Sequence, residues 1–159
     1  AYDGAEASFE LLARRALGQV PEFFQLSSFR VIDERRWNAK GELVTLSEAT
    51  VKLEVEGHPY MTIAEGNGPV NALDSALRKV LIPHFPVLET LRLVDYKVRI
   101  LTPDDGTRAV TRVMIESKDD GGARWATVGV SANVIDASFN ALHDSITYKL
   151  YRDGARAGV

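Results

Sequence analysis

The sequence predicts an α+β fold of two strand-strand-strand-helix repeats, (βββα)2, preceded by a connector helix. Three observations predict it. Apolar residues alternate with charged ones in several short runs, the period-two pattern of half-buried strands. Two longer runs carry apolar residues at helical spacing, each following a strand and a glycine. The order of elements in the first half recurs in the second, and Gly66 and Gly129, which precede the two long helices, stand 63 residues apart. Helices laid against antiparallel sheet are the layers expected of such a chain.

The elements follow in order. Asp3 and Glu6 have capping-box spacing, with an apolar pattern behind them at Phe9, Leu12, Ala16 and Leu17. Gly18 and Pro21 close this first helix. Phe29 to Trp37 has strand character and runs into a turn at Asn38-Ala39-Lys40-Gly41. Val51, Leu53 and Val55 then alternate with Lys52, Glu54 and Glu56. A Gly57-His58-Pro59 turn leads to a third strand, Tyr60 to Ala64. Past Gly66-Asn67-Gly68-Pro69 comes a helix with Val70, Leu73, Leu77, Val80 and Leu81 on one face, ended by Pro83 and Pro86.

The second half repeats that order. Val94, Tyr96, Val98 and Ile100 alternate with Asp95, Lys97 and Arg99, and Thr102-Pro103-Asp104-Asp105-Gly106 is a turn. Val110 to Ser117 is a strand, Lys118-Asp119-Asp120-Gly121-Gly122 a hairpin turn, and Trp125 to Val130 a strand broken at Gly129. Ser131 or Asn133 caps the last helix, which carries Ile135, Phe139, Leu142 and Ile146. The expected organisation is a connector over 1–25 and the main domain over 26–159, with repeat one about 26–86 and repeat two about 87–151.

Composition narrows the function. A chain of 159 residues with 45% hydrophobic content fits one globular domain, or two small halves sharing one core. Net charge is −3, which gives no global field for a nucleic-acid backbone, and the pairs Arg14-Arg15 and Arg35-Arg36 read as solvated faces. The absence of cysteine excludes disulfides, thiolate metal sites and cysteine nucleophiles, and fits a reducing compartment. No apolar run approaches the ~18 residues that span a bilayer, so the expectation is a soluble cytoplasmic protein. The chain opens Ala1-Tyr2-Asp3 rather than on methionine, as an excised piece of a longer polypeptide would.

Enzyme signatures are sparse. His58, His84 and His143 are far apart and lack i,i+4 ligand spacing. The pairs Asp104-Asp105 and Asp119-Asp120 invite a metal reading, but each precedes glycine between two strands, which is hairpin chemistry. No phosphate-binding loop, nucleophile elbow or dinucleotide fingerprint is present. Gly66-Asn67-Gly68-Pro69 has more content. Glycines admit a ligand close to the backbone, and the N–H groups of a first helical turn attract an anion such as a metabolite carboxylate. Gly129 to Asn133 offers a similar arrangement. Taken alone, such a turn is better read as a plain strand-to-helix connection.

Longer segments carry a resemblance. Glu65-Gly66-Asn67-Gly68-Pro69-Val70-Asn71-Ala72-Leu73 resembles the strand-to-helix motif of the regulatory domain in the 2-isopropylmalate synthase and citramalate synthase family. Leu93 to Ile100 is similar to that domain's next strand, and Trp125 to Ser138 to its final strand and helix. Tyr2 to Leu12 is similar to the segment entering it, so the resemblance covers nearly the whole chain in order.

The resemblance implies the C-terminal allosteric domain of such an enzyme, itself two βββα units. It implies a homodimer that binds a branched-chain amino acid and gives feedback inhibition of branched-chain amino-acid biosynthesis. Gly66, Asn67, Gly68, Pro69 and Val70 would receive the effector at the helix start. Leu93, Tyr96 and Ile100 would line its side-chain pocket, Thr107 and Ala109 would stand near it, and Ile135 would close the apolar end. Asp95 would hold the ammonium or simply face solvent. Leu93 to Arg99 and Asn133 to Ser138 are closer to the citramalate type, which favours isoleucine over leucine.

The resemblance also implies an acetyl-CoA-dependent transferase as the parent, working with a divalent metal on a catalytic barrel. Such a barrel takes roughly 250 residues, so it has no room here. No catalytic or metal residue and no cofactor is therefore expected in this chain. The competing reading is a stand-alone metabolite-binding or dimerisation module with no attached barrel. A small α+β enzyme would need a perturbed titratable cluster, and a single-stranded RNA binder more exposed aromatics than Tyr96 and Trp125.

Overall fold

The computed structural model describes residues 5–101 and 109–155. They form α1 (Glu6–Ala16), β1 (Gln25–Trp37), β2 (Leu43–Val55), β3 (His58–Gly66), α2 (Pro69–His84), β4 (Arg92–Leu101), β5 (Val110–Lys118), β6 (Arg124–Ser131) and α3 (Val134–Arg152). A short 3-10 turn, Pro86–Thr90, follows α2. The fold is α+β, with two antiparallel three-stranded sheets in the orders β1-β2-β3 and β4-β5-β6, each followed by a helix. The chain divides into two compact units, residues 23–86 and residues 5–22 with 87–155.

In the first unit, Ala49, Val51, Leu53 and Val55 of β2 are buried on one face, with Thr62 and Ala64 of β3 beside them. Leu73, Ala76, Leu77 and Leu81 of α2 are fully buried, the face that their helical spacing predicts. Each such leucine contributes roughly 1.5–3 kcal/mol by leaving water. Phe23 and Phe85 close one end, edge to face at 5.9 Å. The β2–β3 turn falls at Glu56 and Gly57, both with positive φ (55° and 77°), one residue earlier than expected. A two-residue turn of this kind needs φ > 0 at both positions, and this placement keeps Pro59 inside edge strand β3.

The second unit has the same plan with more polar contacts. Val113 and Ile115 are fully buried with Ala137, Ala141, Leu142 and Leu150. The Ser117 and Ser145 hydroxyls meet at 2.6 Å, and Thr127 donates to the Ala141 carbonyl at 2.8 Å. Gly129 lies within β6 without breaking it. A Cβ there would stand 2.0 Å from the Ala137 oxygen, so only glycine lets α3 approach this strand. α1 packs on β6 and α3, burying Ala7, Ser8 and Leu11, while Phe9, Leu12 and Leu17 remain exposed. The apolar pattern expected to pack is thus the outer one. α1 begins after Ala5 with no side-chain cap, and Asp3 lies outside the described residues.

Sheet register defines how the repeats correspond. β1 is irregular between Leu26 and Ser28, opposite Leu53 and Lys52. β4 is irregular between Leu93 and Asp95, opposite Ser117 and Glu116. Matching these bulges aligns Ala64 with Gly129, Gly66 with Ser131, and the helix N-caps Gly68 and Asn133 with each other. The two glycines 63 residues apart are therefore not equivalent positions: Gly66 ends its strand, whereas Gly129 sits inside one.

Candidate functional site

The first candidate region is the turn from β3 into α2. Gly66 pairs with Ser47 at the end of the ladder. A Cβ on Gly66 would come within 2.6 Å of the Ala72 nitrogen, so the tight entry to α2 requires glycine there. Gly68 is different. Its backbone is extended (φ −174°, ψ 169°), which any residue adopts, and a Cβ would meet nothing within 4 Å. The backbone gives no reason for glycine at this position; what its absent side chain leaves is open space at the helix start.

That helix start carries no side-chain cap. Pro69 at the first position has no N–H, and the Ala72 N–H is taken by the Gly68 carbonyl at 3.0 Å. Asn71 donates through its side-chain amide to Asn67 Oδ1 on the exposed surface. The Val70 side chain is buried in the core, so Val70 offers the turn only its backbone. Free first-turn N–H groups and the positive end of the helix dipole favour a carboxylate at such a place.

The equivalent start of α3 is already filled. Asn133 Oδ1 accepts the N–H groups of Ile135 at 2.7 Å and Asp136 at 3.3 Å. Of the two caps proposed by the sequence, Asn133 is the one used, with Ser131 Oγ accepting the Asn133 N–H at 3.2 Å. The sequence suggests similar anion sites at both helix starts; the structure makes them chemically unequal.

The second candidate region is β4. Leu93 and Tyr96 are three positions apart and would face opposite ways on a regular strand. The bulge at Val94 removes that conflict. Leu93 stands opposite Ser117, Tyr96 opposite Ile115, and Ile100 opposite Thr111, so all three share the face that α3 covers. The Tyr96 hydroxyl lies 3.4 Å from Ser138 Oγ, beneath the start of α3 where Ile135 stands half-buried. Tyr96 is 39% exposed and Ile100 68%, an unusual exposure for apolar residues on a helix-facing surface. Asp95 pairs opposite Glu116 on the other face and holds Lys97 at 3.7 Å. Ala109 is exposed just before β5, and Thr107 lies outside the described residues.

Gly66 to Val70 thus belong to the first unit, and Leu93, Tyr96, Ile100 and Ile135 to the second. Sequence reasoning missed Ser138, the polar partner of Tyr96; its position one turn beyond Ile135 was the available signal. The histidines have local partners. His58 Nδ1 lies 3.0 Å from the Glu56 carbonyl, and His84 Nε2 lies 3.0 Å from the Tyr60 hydroxyl. Burial pushes the His143 imidazole below the usual range, against the pull of Asp144. Among the described residues no three His, Asp or Glu side chains gather to hold a metal ion, and no helix is long and apolar enough to cross a membrane.

Comparison with known proteins adds a family. The family model described as the LeuA allosteric (dimerisation) domain matches residues 3–150. The (R)-citramalate synthase of Geobacter sulfurreducens is 54% identical over 151 residues, which is 95% of this chain and 28% of that protein. The (R)-citramalate synthase of Aquifex aeolicus is 50% identical over 152 residues, 96% of this chain and 28% of its own length. The 2-isopropylmalate synthase of Aquifex aeolicus is more distant, 29% identical over 131 residues, covering 82% and 24%. The chain spans less than a third of the length of these relatives.

Proposed function

Because the chain belongs to the LeuA allosteric (dimerisation) domain family, we propose that it is the C-terminal, effector-binding part of a citramalate synthase-like enzyme, working as a homodimer. The effector is a branched-chain amino acid, isoleucine in preference to leucine, and its binding gives feedback inhibition. Citramalate synthases at 54% and 50% identity, against 29% for a 2-isopropylmalate synthase, support that branch. The relatives' greater length speaks against a stand-alone module.

The observation that carries this reading is the unequal capping of two equivalent helix starts. α3 is capped by its own Asn133, whereas α2 begins at Gly68 with no side-chain cap and open space. A carboxylate is the group that such an uncapped turn attracts. On this reading Gly66, Asn67, Gly68, Pro69 and Val70 are the candidate carboxylate-binding residues, and Leu93, Tyr96, Ile100, Thr107, Ala109 and Ile135 are the candidates that the family resemblance implies for the effector's side chain.

Catalysis, with its divalent metal and acetyl-CoA, belongs to the part of the polypeptide outside this chain. Effector binding reaches it as a coupling free energy, typically about 1–3 kcal/mol. Calorimetric titration of the chain with isoleucine, leucine and valine tests the reading. Saturable binding is expected, with isoleucine the tightest. Leucine as the tightest ligand moves the protein to the isopropylmalate branch, and no binding by any of the three removes the effector role from this chain.

A further inference from the structure

α1 is apolar on two faces. One face, with Ala7, Ser8 and Leu11, is buried against β6 and α3. Ser8 fixes it there: its hydroxyl accepts the Val128 N–H at 2.9 Å and donates to Asp144 at 2.8 Å. Arg15 reaches the other oxygen of Asp144 at 3.1 Å, and the Tyr148 hydroxyl donates to Glu10 at 3.4 Å. The outer face carries Leu12, Ala13 and Ala16, continued by Leu17 beyond the helix end. Leu12 and Leu17 are 51% and 68% exposed. Two large apolar side chains set side by side in solvent on one helix mark a surface suited to a partner.

We propose that the outer face of α1, centred on Leu12 and Leu17, seats the remainder of the same polypeptide and passes effector binding on to it. This rests on the reading that the chain is the C-terminal part of a longer enzyme. The occupant follows from length: a relative matched over 95% of this chain has only 28% of its own residues in the match, so most of such a polypeptide lies outside it. The inner face supplies the mechanical link. Asp144 and Tyr148, which hold α1, lie on the same helix as Ser138, which meets Tyr96 at the candidate effector surface. A shift of α3 prompted at Tyr96 therefore moves α1 with it, because one rigid helix carries both contacts.

Hydroxyl-radical footprinting of Leu12 and Leu17, in the 159-residue chain and in the full-length polypeptide, tests the seat. Oxidation several-fold slower in the full-length protein, at every concentration, is expected. Equal rates in the two overturn the proposal. Slowing in the 159-residue chain that grows with its concentration assigns the face to a second copy, and also overturns it. The coupling is read from the full-length Leu12→Ser, Leu17→Ser double variant. Isoleucine affinity should stay within about twofold of wild type while the maximal inhibition drops by about fivefold or more, the lower end of usual allosteric coupling. Undiminished inhibition in a folded variant removes the coupling role. Failure of wild type to bind isoleucine refutes the effector reading alone, since footprinting still decides what α1 seats.

Discussion

Three glycines show how differently one residue type can act. Gly66 and Gly129 are demanded by packing, because a Cβ at either would stand within 3 Å of helix backbone. Gly68 is demanded by nothing inside the fold. Two substitutions therefore have opposite expected signatures. Gly68→Val should abolish isoleucine binding by filling the helix start, at a cost to folding of no more than about 1 kcal/mol from the altered N-cap. Calorimetry paired with a urea melt checks this, and wild-type affinity in the variant removes Gly68 from the site. Gly129→Ala should act on stability instead, by about 1–3 kcal/mol or more, because α3 has to move off β6. A urea midpoint equal to wild type counts against the close approach. All three glycines were visible in the sequence, but their roles were not, since the role depends on which backbone passes nearby.

Among the elements, α3 is tied to the β5–β6 hairpin by a buried ion cluster. Lys149 Nζ lies 3.1 Å from Asp119 and 2.7 Å from Asp153, with the lysine side chain only 4% exposed. Burial raises the Asp119 carboxyl, but the Lys149 hydrogen bond and the Ala123 and Gly121 N–H groups outweigh it and hold the group below its ordinary value. Burial lowers Lys149, and its bonds to Asp153 and Asp119 outweigh that and hold it above. The signs set a window. The depressed Asp119 contributes stability above its unfolded value of about 4, lost as pH falls through the lower folded value. The raised Lys149 contributes below about 10.4, lost as pH rises through the higher folded value. Urea midpoints against pH should fall at both ends of this window, and Asp119→Asn should flatten the acid limb; an unchanged acid limb contradicts the assignment. Lys149→Met should cost about 3–5 kcal/mol near neutrality, because two carboxylates lose their partner. The Asp119-Asp120-Gly121 turn was legible as a turn, whereas its lysine, 30 residues away, was not.

On the scale of the molecule, the longest-range polar contacts join the two ends of the described chain. Ser8 meets Val128 and Asp144 across 120 and 136 residues, so α1 shields the outer edge of β6, where an unpaired strand would otherwise invite association. Removal of residues 1–22 should speed hydrogen exchange at the Val128 amide by about tenfold or more, while Val51 and Leu53 in the other unit keep their protection. Unchanged exchange at Val128 would show that α1 does not guard this edge.

Local chemistry made much of the chain legible. Alternation on β2 and β4, the 70-73-77-80-81 stripe of α2, Pro69 at a helix start and the Asp119-Asp120-Gly121 turn are short-range features, each enforced by residues within a few positions of one another, while the Asp104-Asp105-Gly106 turn lies outside the described residues. The (βββα)2 order and the family likeness follow from these. Tertiary structure decided the rest: the bulge that brings Leu93 and Tyr96 onto one face, the choice of Asn133 as the α3 cap, and the inward turn of Ser8 and Leu11 in place of Phe9 and Leu12. Each depends on a partner distant in sequence. A periodic pattern shows that a helix has an apolar face, but where two faces compete, only the surface it meets selects the one that is buried.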